Sequence, residues 1–273
     1  MKPLIRKPGL PKGVNVDPAN PYTHFREASW QEALDFAAAG LAKVAEKHGN
    51  EAIAGFGSAK CTNEEAYLFQ KLIRTRFRNN NIDHCTRLCH ASSVAALIEG
   101  IGSGAVTATF NEVERADVIM IIGANPTENH PVAATFFKQA AKRGATLIVI
   151  DPRGSALREY ATYMLRFKPA SDVALLNAIM HVIVEEKLYD VQYLQAHTEN
   201  FECLKEHLSS YSPESVADIC GIDAATIRKV AQAFGRAECA MIFWGMGISQ
   251  HVHGTDNARC LIALSLMCGQ VGR

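Results

Sequence analysis

The chain has 273 residues, 48% of them hydrophobic, and its 28 basic and 28 acidic side chains balance to a formal net charge of zero. This neutral balance argues against a nucleic-acid-binding protein, which usually carries a basic excess. No apolar run approaches the roughly 20 residues that span a bilayer, and residues 1–8 lack the apolar core of a secretory signal. We therefore expect a cytoplasmic protein with no membrane span.

The first third of the chain predicts a small α/β piece. Residues 1–28 are rich in Pro, Lys and Asn without a clear period, which favours an extended arm. Ser29 to Glu32 fits a capping box, and the apolar spacing after it predicts a helix ending near Gly49. A short strand is expected at 52–56, and a second helix from Thr62 to about Asn79.

From Asp117 onward the chain alternates strands and helices. The strands are predicted at 118–122, 146–150, 163–167 and 240–244. The main helices are predicted at 131–142, 171–186, 223–234 and 255–267. Such alternation is typical of an α/β fold with an open, mostly parallel, Rossmann-like sheet covered by helices on both faces. We place the domain boundary near residue 84, with a smaller α/β piece at 1–84 and the Rossmann-like domain at 85–273.

Polar side chains and glycines follow three of these strands. In open α/β sheets ligands bind beyond the carboxyl ends of the strands, and glycines there let backbone approach a ligand. No loop has the G-x-G-x-x-G spacing, so a plain NAD site is not indicated. The candidate ligand contacts in these loops are Asn125, His130, Asp151, Arg153, Gly245, Gly247 and Gln250. His251 and His253 fit either a ligand site or a solvated loop.

Cys89 and His90 stand together at the start of a predicted helix. A helix N-terminus and a neighbouring proton acceptor both favour a thiolate, which is a ligand for soft transition metals. Covalent haem attachment would need a run one residue shorter, and a zinc site would need further closely spaced ligands. The other thiols are expected to be reduced, and Cys85, Cys203, Cys220, Cys239, Cys260 and Cys268 to be buried as small apolar residues.

Residues 80–90, ending in Cys89–His90, resemble the active-site segment of molybdenum- or tungsten-dependent formate dehydrogenases. The resemblance covers nearly the whole chain. It includes the runs at 3–6, 29–34, 123–126, 130–131, 151–153, 174–178, 244–247 and 269–272. It implies that Cys89 ligates the metal, and that His90 beside it manages the proton or orients formate.

The resemblance also implies a bis(molybdopterin guanine dinucleotide) cofactor. Its contact candidates are then Asn125, His130, Asp151, Arg153, Ser171, Asp172, Gly245, Gly247 and Gln250. Residues 60–65 look most like the soluble, NAD-linked branch, so electron-transfer subunits or domains are the expected partners. An iron–sulfur cluster is expected only in a more N-terminal part, because the four-cysteine segment of that family is absent from these 273 residues.

The sequence leaves three interpretations. In the first, the chain is the central part of a formate dehydrogenase catalytic subunit, and alone it is expected to be weakly active or inactive and prone to self-association. A second enzyme class, a nitrate-reductase-like molybdopterin oxidoreductase, is disfavoured by His90 and separable by an activity panel. A non-catalytic fragment that keeps the fold and binds no metal is the third, and metal content would identify it.

Overall fold

A computed structural model describes residues 1–13 and 15–272, which form two compact units, 1–87 and 88–273. The first unit contains strands β1 to β4, and the second contains a parallel sheet with its covering helices. The strands are β1 Leu4–Arg6, β2 Phe25–Glu27, β3 Gly55–Gly57, β4 Ile82–His84, β5 Val118–Ile122, β6 Thr146–Ile150, β7 Tyr163–Leu165 and β8 Ala240–Trp244.

The helices follow in chain order. They are α1 Trp30–His48, α2 Asn63–Lys71, α3 Thr86–Cys89, α4 Ala91–Ile101, α5 Pro126–Asn129, α6 Pro131–Lys142, α7 Asp172–Glu185, α8 Val191–His197, α9 Phe201–Leu208, α10 Pro213–Cys220, α11 Ala224–Gly235, α12 Met246–Ser249 and α13 Gly254–Met267. Short 3-10 turns lie at Pro21–Thr23, Asn50–Ala52, Phe110–Arg115 and Ala156–Glu159.

The N-terminal segment departs from the predicted arm. β1 and β2 pair antiparallel, with Leu4 opposite Glu27. The predicted capping box of α1 is half formed, since Ser29 accepts a hydrogen bond from the Glu32 amide while the Glu32 carboxylate binds Arg26 instead. A carboxylate gains more from a guanidinium than from a neutral amide, which explains the exchange.

The rest of the first unit is built around β3 and β4, which are parallel. Thr62 and Glu65 form a complete capping box at the start of α2. α2 ends earlier than predicted, because the chain continues as a wider π turn from Leu72 to Arg76. The buried core of this unit is small, namely Ile53, Ile73 and Phe77.

The second unit contains the predicted parallel sheet, in the order β7-β6-β5-β8. Alternate residues of β5 enter different cores: Met120 packs on one face of the sheet, and Ile119 on the other. Burial on both faces explains why the strands are continuous apolar runs. The predicted α/β class with helices on both faces is therefore confirmed.

Among the thiols, the burial predicted for Cys85 and for Cys203 is wrong, because both side chains are exposed. Cys203 is exposed, because α9 turns Leu204 and Leu208 inward and leaves position 203 off that stripe. Burial raises the pKa of Cys260 and that of Cys268 to about 12. All eight cysteines are free thiols. No helix within residues 1–13 and 15–272 is long and apolar enough to cross a membrane.

Candidate functional site

The strand order puts a topological switch point between β5 and β8. The chain adds β6 and β7 on one side of β5 and then returns to place β8 on the other side. The loops that leave β5 and β8 therefore diverge at this point, which is where open α/β sheets bind their ligands.

Three glycines join the two loops at the switch point. The Gly247 amide donates to the Gly123 carbonyl at 2.9 Å, and the Gly245 amide donates to the Ile122 carbonyl at 3.3 Å. A Cβ on Gly247 would lie 2.6 Å from the Gly123 Cα, and one on Gly245 would lie 2.7 Å from the Gly123 oxygen. The sequence predicted that glycines here let the backbone approach a ligand, and the structure adds that they let the two loops pack backbone against backbone.

Cys89 is tied to the loop after β8. Its thiol lies 3.3 Å from the Met246 thioether sulfur, at the first residue of α12. The side-chain amide of Gln250 donates a hydrogen bond to the Leu88 carbonyl at 2.8 Å, which anchors the backbone just before Cys89. Gln250 therefore contacts the cysteine segment itself, while its predicted contact with a cofactor stays a prediction.

His90 is held by a buried group of hydroxyls. Its Nδ1 lies 3.0 Å from the Ser249 Oγ and 3.4 Å from the Ser93 Oγ. The two hydroxyls are 2.6 Å apart, and the Trp244 Nε1–H donates to Ser93 at 2.9 Å. Partial burial lowers the pKa of the His90 imidazole.

The loop that carries Ser249 is fixed from both sides. The Ser92 hydroxyl donates to the Ser249 carbonyl at 2.7 Å, and the side-chain amide of Asn257 donates to the Ile248 carbonyl at 3.1 Å. α13 begins at a glycine because a Cβ on Gly254 would lie 2.1 Å from the Ser249 oxygen. The Cys89–His90 segment and the loop after β8 are thus one packed arrangement within the second unit.

Asp172 is the exceptional buried group of this unit. It is 2% exposed at the start of α7, and its Oδ1 is the one buried side-chain nitrogen or oxygen without a hydrogen-bond partner in the described part of the chain. Burial raises the pKa of this carboxyl, while the charge of His251 acts in the opposite direction. An unpartnered buried acceptor is costly, so it marks a place where a ligand donor would fit.

We expect Asp172→Asn to stabilise the ligand-free protein by about 1 kcal/mol at pH 8. A carboxyl whose folded pKa is raised costs nothing below its unfolded pKa near 3.8; the cost grows as the pH rises from there to the folded pKa and is constant above it. The advantage of the variant should therefore disappear on acidification below the unfolded pKa. Urea unfolding of both proteins at about pH 3 and pH 8 measures this difference.

Asp223→Asn is the matched control, because Asp223 also starts a helix of this unit. Hydrogen bonds from Thr226 lower the pKa of Asp223, so its carboxylate stabilises the fold above the unfolded pKa. This substitution should destabilise the protein at pH 8. If both variants shifted stability in the same direction, burial would not be the cause of the Asp172 effect.

Within the described residues, none of the other predicted contact residues hydrogen-bonds to the side chain of Cys89 or His90. Asn125 accepts from Thr127 at 2.6 Å, and Asp151 accepts from the Arg153 amide at 2.8 Å. Ser171 donates to the Lys168 carbonyl at 2.6 Å. His130 is exposed and borders an apolar cavity of about 330 Å³.

Four contributors were not predicted in their present roles. The sequence indicated no such role for Ser93 or Ser249. Trp244 and Met246 stood in a motif without an assigned contact. A tryptophan ending a buried strand is the one available signal, because a buried indole N–H requires an acceptor.

A family model for molybdopterin oxidoreductases matches residues 1–273. The chain belongs to the molybdopterin oxidoreductase family. Membership of this family implies a molybdopterin cofactor, which confirms that part of the resemblance read from the sequence.

Curated relatives of this family member are formate dehydrogenases. Formate dehydrogenase H of Escherichia coli is 39% identical over 272 residues, covering 99% of this chain and 36% of the relative. The alpha subunit of the F420-dependent formate dehydrogenase of Methanocaldococcus jannaschii is 40% identical, covering 91% of this chain and 36% of that protein. The chain thus spans about a third of the length of the curated relatives it matches.

A solved structure extends the comparison to another reaction. Acetylene hydratase from Pelobacter acetylenicus has a TM-score of 0.79 and 26% identity, covering 98% of this chain and 36% of that one. The same fold therefore occurs in an enzyme named for a different substrate, and the substrate has to be argued from site residues.

Proposed function

We propose that the protein containing this chain oxidises formate to carbon dioxide, or runs the reverse reaction, at a molybdenum or tungsten centre. The observation that carries the proposal is the placement of Cys89 beside His90, both packed on the loop that leaves β8 at the switch point. The curated relatives named as formate dehydrogenases support the substrate.

Cys89 is the proposed metal ligand, since a thiolate suits a soft transition metal. As a free thiol it donates toward Met246, so ligation would replace that contact after loss of the thiol proton. His90 is the proposed neighbour that orients formate or takes part in moving its proton. The metal centre supplies the two-electron redox chemistry, because conversion of formate to carbon dioxide releases two electrons and a proton.

The residues at the switch point fit a bis(molybdopterin guanine dinucleotide) cofactor. The unpartnered Oδ1 of Asp172 is an acceptor for the N–H donors of a guanine. The remaining proposed contacts share strand-end or helix-start positions, and they are Asn125, His130, Asp151, Arg153, Ser171, Gly245, Gly247 and Gln250. We assign the cofactor-binding role chiefly to the Rossmann-like domain, proposed at 85–273, with the piece at 1–84 contributing part of a second cofactor-binding domain.

The electron acceptor is proposed to be NAD-linked, through partner subunits or domains, on the resemblance of residues 60–65. An iron–sulfur cluster is proposed for a more N-terminal part of the protein. The relatives named as F420-dependent provide a different acceptor to test. Reduction of NAD⁺ and of F420 by formate, measured side by side, distinguishes the two.

The function is tested on the purified full-length protein that contains this chain. Formate-dependent reduction of a viologen dye, with molybdenum and tungsten measured by mass spectrometry, should show both metal and turnover. Nitrate reduction and acetylene hydration are assayed on the same preparation. Activity with nitrate or acetylene but not formate would reject formate as the substrate, and a metal-free, inactive protein would favour the non-catalytic reading.

A further inference from the structure

The hydroxyls around His90 form a hydrogen-bonded series in which the donor and acceptor of each bond can be assigned. Trp244 starts it, because an indole N–H can only donate, and its partner Ser93 must accept this hydrogen bond at 2.9 Å. Ser93 and Ser249 are both buried, with exposed fractions of 3% and 5%. Their hydroxyl protons must therefore find acceptors inside this group.

The two hydroxyl protons of Ser93 and Ser249 decide which ring nitrogen of His90 carries a proton. One of the two hydroxyl protons fills the short contact between Ser93 and Ser249, at 2.6 Å. The other has one acceptor left among the described residues, the Nδ1 of His90, at 3.0 Å from Ser249 or 3.4 Å from Ser93. A proton on Nδ1 would leave a buried hydroxyl donor without a partner, which is the costlier arrangement.

We propose that Ser93 and Ser249 are positioning residues that hold His90 as the neutral tautomer with its proton on Nε2, while Trp244 orients Ser93. Within the described residues Nε2 has no hydrogen-bond partner, so its N–H is available to a ligand. This deepens the proposed function, on which its catalytic meaning rests. His90 then meets the anionic carboxylate of formate as a hydrogen-bond donor, and its role is to orient the substrate.

The surrounding backbone supports a fixed geometry. Ser249 is held through its carbonyl by Ser92, and Gly254 is packed against the same carbonyl, so the backbone that carries the Ser249 hydroxyl is fixed. His90 and Ser93 lie at the start of one helix, α4, while Trp244 and Ser249 bracket the loop after β8. The tautomer is thus set by contacts between two segments that are far apart in sequence.

The test is magic-angle-spinning NMR of the full-length protein labelled with ¹⁵N in its histidine rings. The His90 signals are assigned by their loss in His90→Gln. We expect a protonated Nε2 and an unprotonated Nδ1. A protonated Nδ1 in the wild-type protein would overturn the proposal.

The double variant Ser93→Ala/Ser249→Ala removes both hydroxyl protons that can reach the Nδ1 of His90. It should allow the second tautomer to appear and raise the KM for formate about tenfold with a smaller change in kcat. Ser209→Ala/Ser210→Ala is the matched control, since these two serines of the same unit are exposed, and it should leave the spectrum unchanged. An unchanged His90 spectrum in Ser93→Ala/Ser249→Ala would contradict the proposal.

A second pair of variants covers the case in which Ser93→Ala/Ser249→Ala fails to fold. Ser249→Ala should mix the tautomers, and Ser249→Thr should restore the wild-type signal because it keeps the hydroxyl. The spectrum needs no turnover, so it is independent of the formate assay. A protein with the expected signal and no formate oxidation upholds the tautomer and rejects formate as its ligand, whereas an active protein with a protonated Nδ1 rejects the tautomer alone.

Discussion

Cys89→Ala should abolish formate oxidation by the full-length protein, with a loss of roughly 1,000-fold or more in kcat. The substitution removes the proposed metal ligand, and the methyl side chain of alanine offers no donor atom in its place. The sulfur also contacts Met246, so this variant loses one packing contact at the loop after β8. Dye-linked formate oxidation and metal content per protein, measured on the same preparation, check the expectation.

Cys85→Ala is the matched control for this experiment. Cys85 is an exposed thiol four residues upstream, and its sulfur accepts a hydrogen bond from the Ala59 amide within the first unit. Activity and metal content should stay near wild-type values. A Cys89→Ala protein that retained full activity would show that this thiol is not the ligand, whereas equal losses in both variants would point to damage to the fold.

The parallel sheet could be predicted because its signal is local. β5, β6 and β8 have the predicted bounds, since runs of four or five apolar residues leave little choice of position; β5 is buried throughout, while β8 is only partly buried from Ile242 onward. β7 is shorter than predicted. It ends at Leu165, and although Phe167 is buried it packs outside the strand ladder.

Pairings between distant residues could not be predicted in the same way. β1 and β2 are strands of only three residues that pair with each other, and segments this short have no hydrophobic period that predicts their pairing. The Ser93–Ser249 contact joins residues 156 positions apart, and a serine pattern carries no partner information. Cys89 and His90 were predicted as site residues from their chemistry and the resemblance, whereas the hydroxyls proposed to orient His90 could be identified only from the fold.

The glycines at the switch point show how one residue type can serve two demands. Close backbone approach was predicted for a ligand, and the structure shows it between Gly123 and the loop after β8. Gly123 also adopts a φ of +58°, which side chains with a Cβ adopt at a cost. These requirements belong to the protein alone, so they predict an effect on stability that is separate from cofactor binding.

Gly247→Ala should therefore destabilise the ligand-free protein by about 3 kcal/mol. The new methyl group would lie 2.6 Å from the Gly123 Cα and 2.8 Å from its carbonyl oxygen, and both are backbone atoms with no rotamer to change. Relief requires the loops after β5 and β8 to separate, which weakens the 2.9 Å hydrogen bond between them. Urea unfolding followed by circular dichroism measures the loss.

The control for this substitution is Gly40→Ala in α1, where an added Cβ meets no atom within 4 Å. It should stabilise the chain by about 0.5–1 kcal/mol, because alanine loses less backbone entropy than glycine in a helix. If Gly247→Ala were as stable as the wild-type protein without ligand, yet bound cofactor poorly, the glycine would serve the ligand alone. The opposite signs expected for the two variants follow from the contacts of a single added methyl group, against backbone in one case and open solvent in the other.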